Sequence, residues 1–354
     1  MKSKSLINIV LFTILLFGSC NEPETVVTNI VNPDGSVVRR IEMKSIADKV
    51  EDRFQVSDLQ VPFDGTWTIR DSVEITDDKD TVWVRRAEKL FANAEEINKL
   101  YLIDSGANKE ASRKVNFEKR FRWFNTGFRF SELVDKQMSN GYPLNDFLND
   151  EELLFFYSPE NLKDAKKSGP DSLKFRSIND SVDIKVENWS IKNLVSGWIW
   201  EFSKLIEAKE GGIGVKDTLE SNEGELFDYM MKNEKDLDSL WSNGIILNKF
   251  IGENNYHKFK AEADTAIEIL TNQIWTDFKE YSVRIVMPGT VTGTNGFIDS
   301  SDVLLWPVKS DFFLTETYEM WAESKIPNMW AWIVSGLFLV FVFTGVLLRV
   351  IKKG

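Results

Sequence analysis

MWAWIVSGLFLVFVFTGVLL, residues 329–348, is the stretch on which the reading of this chain turns. It is 20 residues long and carries no charge. As a helix rising about 1.5 Å per residue it spans roughly 30 Å, the thickness of a bilayer core. Trp330 and Trp332 stand at its start as interfacial aromatics, and Arg349, Lys352 and Lys353 close its end. Cations at that end place residues 349–354 in the cytoplasm and the preceding chain outside it. The alternative is the buried core helix of a soluble body, which is also apolar all round.

The other end of the chain supports export. Lys2 and Lys4 precede the apolar run Leu6–Phe17, and the small residues Gly18 and Ser19 lead to Cys20. A basic start, an apolar run and a small-residue cleavage site make residues 1–19 a signal peptide. Leu16-Phe17-Gly18-Ser19-Cys20 resembles the lipobox of bacterial lipoproteins, which implies that Cys20 is lipidated and becomes the first residue of the mature chain. A plain secretory signal with an incidental cysteine is the other reading. The expected order is then a signal over 1–19, an extracytoplasmic body over 20–328, a transmembrane helix over 329–348 and a cytoplasmic tail. Short tethers at both ends imply that both ends of the body face the same way and put the two anchors in one membrane. That membrane is expected to be the bacterial inner one with the body periplasmic, because single helices satisfy their own backbone and outer membranes hold mainly barrels.

Composition narrows the function. The 354 residues carry a net charge of −12, of which the leader lysines and the three tail cations hold +5, so the stretch between them carries −17. Such a surface repels phosphate backbones, and no nucleic-acid partner is expected. One histidine (His257) and one cysteine exclude a Cys/His metal cluster and a disulfide framework. Neither metal nor cofactor is expected, and no catalytic signature stands out.

Along the body, Val26–Ile30 and Val37–Met43 flank Asn32-Pro33-Asp34-Gly35-Ser36 and predict a hairpin. Trp67–Val73 and Thr81–Val84 predict a second pair around Asp77-Asp78-Lys79-Asp80, a solvated turn whose oxygens also suit calcium. Ala87–Ile103 has helical spacing at Leu90, Ala94, Ile97 and Tyr101. Lys114–Phe130 alternates aromatic and basic residues and predicts two strands about Asn125-Thr126-Gly127. Its Arg120, Arg122 and Arg129 either pair with acids of the same protein or bind an anion such as RNA or a lipid head. Pro143–Tyr157 and Asn161–Lys167 read as short helices, and Ser181–Ile191 as a strand leading into a Trp-rich helix at Leu194. The glycines of Glu210–Gly214 lack the Gly-Lys-Ser/Thr ending of a phosphate loop and join helices. A helical section over about 190–280 ends in Asn255–Glu280, with Tyr256, Phe259, Ala263, Ile267, Leu270, Ile274 and Phe278 on one stripe. That stripe packs in the core or lines a lipid cavity. Tyr281–Met287, Asp302–Val308 and Phe312–Met320 read as strands, with a hairpin at Thr294-Asn295-Gly296.

Ile285-Val286-Met287-Pro288-Gly289, Thr294-Asn295-Gly296 and Leu305-Trp306, taken with the lipobox and the final helix, resemble the LppM-like lipoproteins. The resemblance rests on Pro288, Gly289, Asn295, Gly296 and Trp306 and covers residues 281–308 beside the two termini. It implies an exported lipoprotein with an α+β ectodomain similar to lipid-binding Bet v 1-like folds, and it carries over no catalytic residue. Asp followed by Ser or Thr and a further residue of the right kind resembles the O-glycosylation site of Bacteroidetes envelope proteins. It occurs at Ser72, Thr81, Ser172, Ser181, Thr218, Ser239 and Thr265, seven times where composition alone gives roughly two. Asp-Ser and Asp-Thr also start turns and helices.

The sequence therefore predicts an α+β body: an antiparallel sheet of N- and C-terminal strands, a helical middle and one C-terminal transmembrane helix. The expected protein is a non-enzymatic, doubly anchored envelope lipoprotein. Membrane lipid and other envelope proteins are its expected partners, as it binds a hydrophobic ligand or scaffolds a membrane complex. The alternative is a hydrolase working on envelope glycans through paired carboxylates. Cys20→Ser is expected to abolish fatty-acid labelling and signal processing. Equal labelling of the variant in metabolic feeding experiments would refute lipidation at this residue.

Overall fold

The structure is a computed structural model that describes residues 24–45, 63–75, 81–102, 111–160, 162–163, 172–233, 240–241, 243–274, 278–299 and 303–352. Cys20, Ser239, Lys353 and the Asp77–Asp80 turn lie outside the described residues, as does most of Asn161–Lys167.

The N-terminal hairpin forms as its pattern dictates. Strands β1 (Glu24–Val31) and β2 (Val37–Ser45) alternate buried and half-buried residues and pair antiparallel. Asp34 accepts hydrogen bonds from the backbone N–H and hydroxyl of Ser36, and Gly35 takes φ +96°. A Cβ at Gly35 would lie 2.9 Å from the Phe117 ring, so only glycine lets the turn rest there. Strands β3 (Thr68–Ile75) and β4 (Thr81–Phe91) extend the sheet beyond β2. The helix expected from Ala87 starts later: β4 continues to Phe91, and α1 spans Ala94–Leu102, with Asn93 accepting from the Glu96 N–H at its start. Leu90, counted on the helical stripe, is an exposed strand residue.

Two sheets result. The first has seven strands in the order β3-β4-β2-β1-β7-β10-β9, with β7 (Tyr281–Val286), β9 (Phe297–Ile298) and β10 (Leu304–Val308) supplied by the C-terminal part. N- and C-terminal strands thus share a sheet, and the β1–β7 pairing that joins them is parallel. The second sheet runs β5-β6-β11-β8 and is antiparallel, from β5 (Arg113–Phe121), β6 (Asn125–Val134), β8 (Thr290–Thr294) and β11 (Tyr318–Pro327). Val27, Ile41, Val283 and Trp306 of the first sheet face Phe130, Val134, Met320 and Ala322 of the second across one core.

Three sequence expectations change here. The β5–β6 turn falls at Arg122–Phe124, since Asn125 already pairs with Pro327. Thr294-Asn295-Gly296 joins no hairpin but carries the chain from one sheet to the other, β8 pairing with β11 and β9 with β10. Phe312 and Phe313 form a 3₁₀ turn rather than a strand, and β11 runs on to Pro327.

The helical section begins well before residue 190. After α2 (Asp150–Phe156), the helix α3 runs through Ser172–Ile206 and absorbs the strand expected over Ser181–Ile191. Val182, Ile184 and Val186 alternate by chance; Ile184 faces solvent, while Phe175, Val182 and Trp189 recur every seven residues on the buried side. Helices α4 (Gly212–Ser221), α5 (Glu223–Lys232) and α6 (Ile245–Ile251) follow, then α7 (Glu253–Ile274). The α7 stripe packs on α3, with Phe259, Ala263 and Leu270 in one core with Trp198, Phe202 and Ile206. Phe278 lies past the described end of α7 and joins the sandwich core against Tyr281 and Phe313.

Phe156 and Tyr157 belong to both cores. Their rings meet Phe312 at 5.1 and 4.9 Å, and Tyr157 stacks on Tyr318 at the start of β11. The helical core therefore docks on the Tyr318 end of the sandwich. The apolar helix α8 (Met329–Ile351) leaves from the other end, three residues longer than the uncharged run, and beyond its first two turns its side chains are uncovered by the body. Close packing of α3 on α7 sets opposite expectations for two glycines. A Cβ at Gly197 would lie 2.5 Å from Met138 and 2.9 Å from Leu270, whereas Gly214 on α4 has open space. Gly197→Val should cost about 1–3 kcal/mol by overpacking, while Gly214→Ala should gain up to about 1 kcal/mol in helix propensity. Urea denaturation in detergent reads both signs.

Candidate functional site

Two constellations stand out, one inside the sandwich and one where it meets α8. The inner one starts from a charge in an apolar register. Along β2 the inward positions are Val37, Arg39, Ile41, Met43 and Ser45, and Arg39 is fully buried. Opposite it on β6 lies Glu132, also fully buried, with Oε1 3.2 Å from Arg39 Nη2. The hydroxyl of Tyr101 on α1 donates to the same oxygen at 2.5 Å, and the Asn29 amide donates to the other at 3.2 Å. Arg39 and Arg113 lie over the Tyr101 ring at 5.2 and 4.3 Å. Burial pushes the Glu132 carboxyl up, but the Arg39 charge, the Tyr101 hydroxyl and Arg113 more than offset this and hold it below the ordinary range. Burial raises Tyr281, beside this cluster, to about 12. The cluster ties β1, β2, β6 and α1 together and is closed to solvent. It is a structural tie rather than a site open to substrate.

The outer constellation surrounds the exit of α8. Only Asn328 separates the end of β11 from the first turn of α8. Its side chain does not cap the helix. Instead Nδ2 donates to the carbonyls of Arg122 and Trp123 at 2.7 and 3.3 Å, and Oδ1 accepts from the Thr126 hydroxyl at 3.0 Å. The Asn328 backbone N–H and the Trp332 indole both donate to the Phe124 carbonyl, at 2.9 and 3.2 Å. Trp123 Nε1 donates to Ser335 Oγ at 2.9 Å. Ring contacts complete the collar: Phe121 stacks on Trp330, Trp123 meets Trp330 edge-on at 5.1 Å, and Phe124 meets Trp332 at 4.5 Å. The sequence reads Trp330 and Trp332 as interfacial aromatics, and the structure packs both on the β5–β6 tip. Their partners on that tip were not legible, because nothing in the sequence says that residues 200 positions apart meet. Arg349 and Lys352 stand in and just after the last turn, as expected.

The motif residues shared with the LppM-like resemblance hold β11 in place. Gly289 takes φ +78°, and a Cβ there would lie 2.4 Å from the Lys325 carbonyl; the Pro288 carbonyl accepts from the Ser324 hydroxyl at 2.7 Å. Asn295 Oδ1 accepts from Trp306 Nε1 and from the Trp321 N–H, at 3.0 and 2.9 Å, while its amide donates to the Glu319 carbonyl. Gly296 lies against Trp306, where a Cβ would approach to 2.4 Å. These five residues weld the two sheets at their crossover.

The arginines divide. Arg129 is held by Glu323 and Glu319 at 2.9 and 3.2 Å over the Trp321 ring, and Arg120 pairs with Glu118 at 2.8 Å. Arg122 is exposed at the tip and makes no ion pair among the described residues. An open groove of about 660 Å³ between α1 and β5 is lined by Glu95, Asn98, Lys114, Asn116, Arg129 and Glu319, a polar set. Of the described sites with the glycosylation pattern, Thr81, Thr218 and Thr265 are exposed, whereas Ser72, Ser172 and Ser181 are half-buried. Ser181 donates to Glu152, whose carboxyl is held down to about 2 by Lys185, the Asn149 N–H and Ser181 itself.

No family model and no curated protein matches the chain. Among solved structures, the chain is similar to the NMR structure of the folded domain of the Mycobacterium tuberculosis LppM protein. Identity is 11%, with 88% of this chain and 95% of that one covered, and the TM-score is 0.29. A likeness that distant carries no argument about the site.

The buried pair makes a prediction with two arms. Glu132→Gln strands the Arg39 charge in the core and should cost about 3–5 kcal/mol, whereas Arg39→Met with Glu132→Leu should recover most of that loss. The native carboxyl lies below its unfolded value of about 4.3, so its contribution is complete above that pH and is lost as pH falls through the depressed native value. Stability of Glu132→Gln should therefore decline less between about pH 5 and 2 than that of the native protein, as denaturant titrations at each pH will show.

Proposed function

We propose that this chain is a membrane-held, non-enzymatic scaffold of the bacterial envelope, whose β-sandwich is a rigid spacer between the bilayer and the helical lobe. One observation carries the reading. Strand β11 enters α8 through a single residue that is itself hydrogen-bonded into the β5–β6 tip, so body and anchor share one stiff joint. The ten residues of β11 span about 30 Å at 3.3 Å each. The aromatic dock at Tyr157 and Tyr318 thus holds the helical lobe about that far from the start of α8.

The α7 stripe packs on α3 in the lobe's core, and the groove between α1 and β5 is lined mostly by polar groups. Neither feature favours a hydrophobic ligand. Of the three carboxylates in the groove, Glu319 is engaged by Arg129 and Glu118 by Arg120, which leaves Glu95 on α1. A stiff mount of this kind supports our reading of a protein partner above the membrane.

The helix is the primary anchor, with its basic end cytoplasmic and the body periplasmic on the inner membrane. The lipid expected on Cys20 adds a geometric condition. Strand β1 is parallel to β7, whose end at Gly289 lies against Lys325, so Glu24 starts at the end of the sandwich remote from α8. The expectation that both ends of the body face the same way is thereby corrected. Four residues from Cys20 to Glu24 reach at most about 14 Å, less than the roughly 20 Å of strand between Glu24 and Ile30. Two anchors in one bilayer therefore require the sandwich to lean over.

Purification of the full chain from native membranes tests the proposal. A stoichiometric envelope protein that is lost when exposed residues of the lobe such as Trp200 and Ile213 are replaced by Glu is the expected result. A stoichiometric lipid or hydrophobe with no protein would replace the scaffold by a carrier. Truncation after Pro327, in a chain whose residues 1–20 are replaced by a cleavable secretory signal, should release the body from membranes at alkaline pH; retention would show that α8 is not the anchor.

A further inference from the structure

Three aromatic side chains at the β5–β6 tip are left in the open by an otherwise well-packed sandwich. Phe121 is 61% exposed, Trp123 48% and Phe124 40%. In water this is costly, and the tip is not a long loop but a three-residue turn closed by the Arg122 N–H on the Asn125 carbonyl. Its position relative to α8 supplies the explanation. Ser335, which accepts from Trp123, lies six residues into α8, hence about 9 Å along its axis. If α8 fills a bilayer core of about 30 Å ending near Arg349, the core begins close to Met329, and the Trp123 indole lies beside lipid rather than water.

Backbone accounting agrees. Irregular chain persists at the bilayer only where its polar groups are satisfied by protein. The carbonyls of Arg122, Trp123 and Phe124 are all satisfied, each by a donor on Asn328 or Trp332. The indole N–H of Trp123 and the hydroxyl of Ser335 satisfy one another. Charge agrees as well. The stretch between leader and tail carries −17, yet residues 117–130 hold four cations and one acid. Arg120, Gly127 and Lys325 lie in one row across the sheet just above the tip, and Arg122 is at the tip itself.

We infer that the β5–β6 tip is a second membrane-contact element, which seats Phe121, Trp123 and Phe124 in the bilayer interface beside α8 and brings Arg122 to lipid phosphates. Aromatic rings favour that layer, and an arginine near it reaches outward to the headgroups. The inference rests on α8 spanning the bilayer. It adds that the body is seated on the lipid surface at a fixed angle, not merely tethered to it.

Collision measurements on spin labels decide this. The full chain, with Cys20→Ser and one new cysteine at Phe121, Val340 or Thr81, is reconstituted into vesicles of phosphatidylcholine and phosphatidylglycerol. Relaxation by oxygen, which concentrates in lipid, is compared with relaxation by a water-soluble nickel chelate. Phe121→Cys should read with Val340→Cys as lipid-exposed, and Thr81→Cys as aqueous. Adding Arg122→Glu should raise nickel access at position 121 severalfold. A label at 121 that reads aqueous while 340 reads lipid overturns the inference and leaves the anchor standing. Protection of 121 from both reagents overturns it too, in favour of a protein contact. An aqueous reading at 340 would remove the anchor and this inference with it. Because a label could disturb the tip, Trp123→Phe provides an independent arm: it keeps an apolar ring and should remove part of the tryptophan fluorescence that brominated lipid quenches. Unchanged quenching would place Trp123 outside the bilayer.

Discussion

A buried arginine and a buried glutamate, 3.2 Å apart across the gap between two sheets, constrain the rest of this molecule. Taking both charges out of water costs several kcal/mol per ion, and the pairing returns this only if the geometry is met. Tyr101 and Asn29 complete the coordination of Glu132 from α1 and β1. The pair therefore selects one placement of the first sheet over the second, because sliding either by a residue turns Arg39 or Glu132 out of the core. Apolar packing alone, with Val, Ile and Phe on both faces, is far more forgiving of such slips.

Once the sheets are fixed, the path of β11 is fixed with them, and with it the exit of the chain. Asn295 and Gly296 hold β8 and β9 in different sheets over the Trp306 ring, and Gly289 lets the preceding turn close on Lys325. Each of these contacts bears on β11 or its neighbours. The result is a strand clamped along its length that passes into α8 without a flexible segment. Mechanical continuity from the start of α8 to the Tyr318 end, and through Phe312 and Tyr157 to the helical lobe, follows from that clamp.

Much of this was legible in the residues. The first hairpin, the α7 stripe, the α+β class and the apolar helix follow from periodicity and turn chemistry. Where the reading failed, periodicity was ambiguous or contact was distant. Val182, Ile184 and Val186 alternate like a strand inside α3, and only Phe175, before the window, and Trp189, near its end, reveal the helical repeat. Leu90 fits a helical stripe yet belongs to a strand. Arg39 did give a signal, a charge at an inward position between Val37 and Ile41, but its meaning depended on Glu132, 93 positions away. The same holds for the tip: aromatic residues at 121–124 read as one face of a strand until the structure places them on α8.

On the proposal that α8 spans a bilayer, charge bears on how the body would stand there. A single helix fixes where the protein sits but leaves the body free to tilt about the point of exit. The stretch between leader and tail carries −17 overall, while Lys119, Arg120 and Arg122 lie at or just above the tip beside the exit of α8. Attraction at the tip and repulsion elsewhere act in the same sense, holding the sandwich up from the bilayer and the helical lobe at its far end. Screening confines both effects to about 8–10 Å at physiological salt, so the tip is governed by contact and the lobe is beyond the reach of the surface charge. The lipid proposed on Cys20 would pull the other way, since its short tether would draw the remote end of β1 down. The posture of the body is then a balance between an electrostatic preference for standing and a covalent constraint toward leaning, and the stiff joint at Asn328 is the place where that opposition is borne.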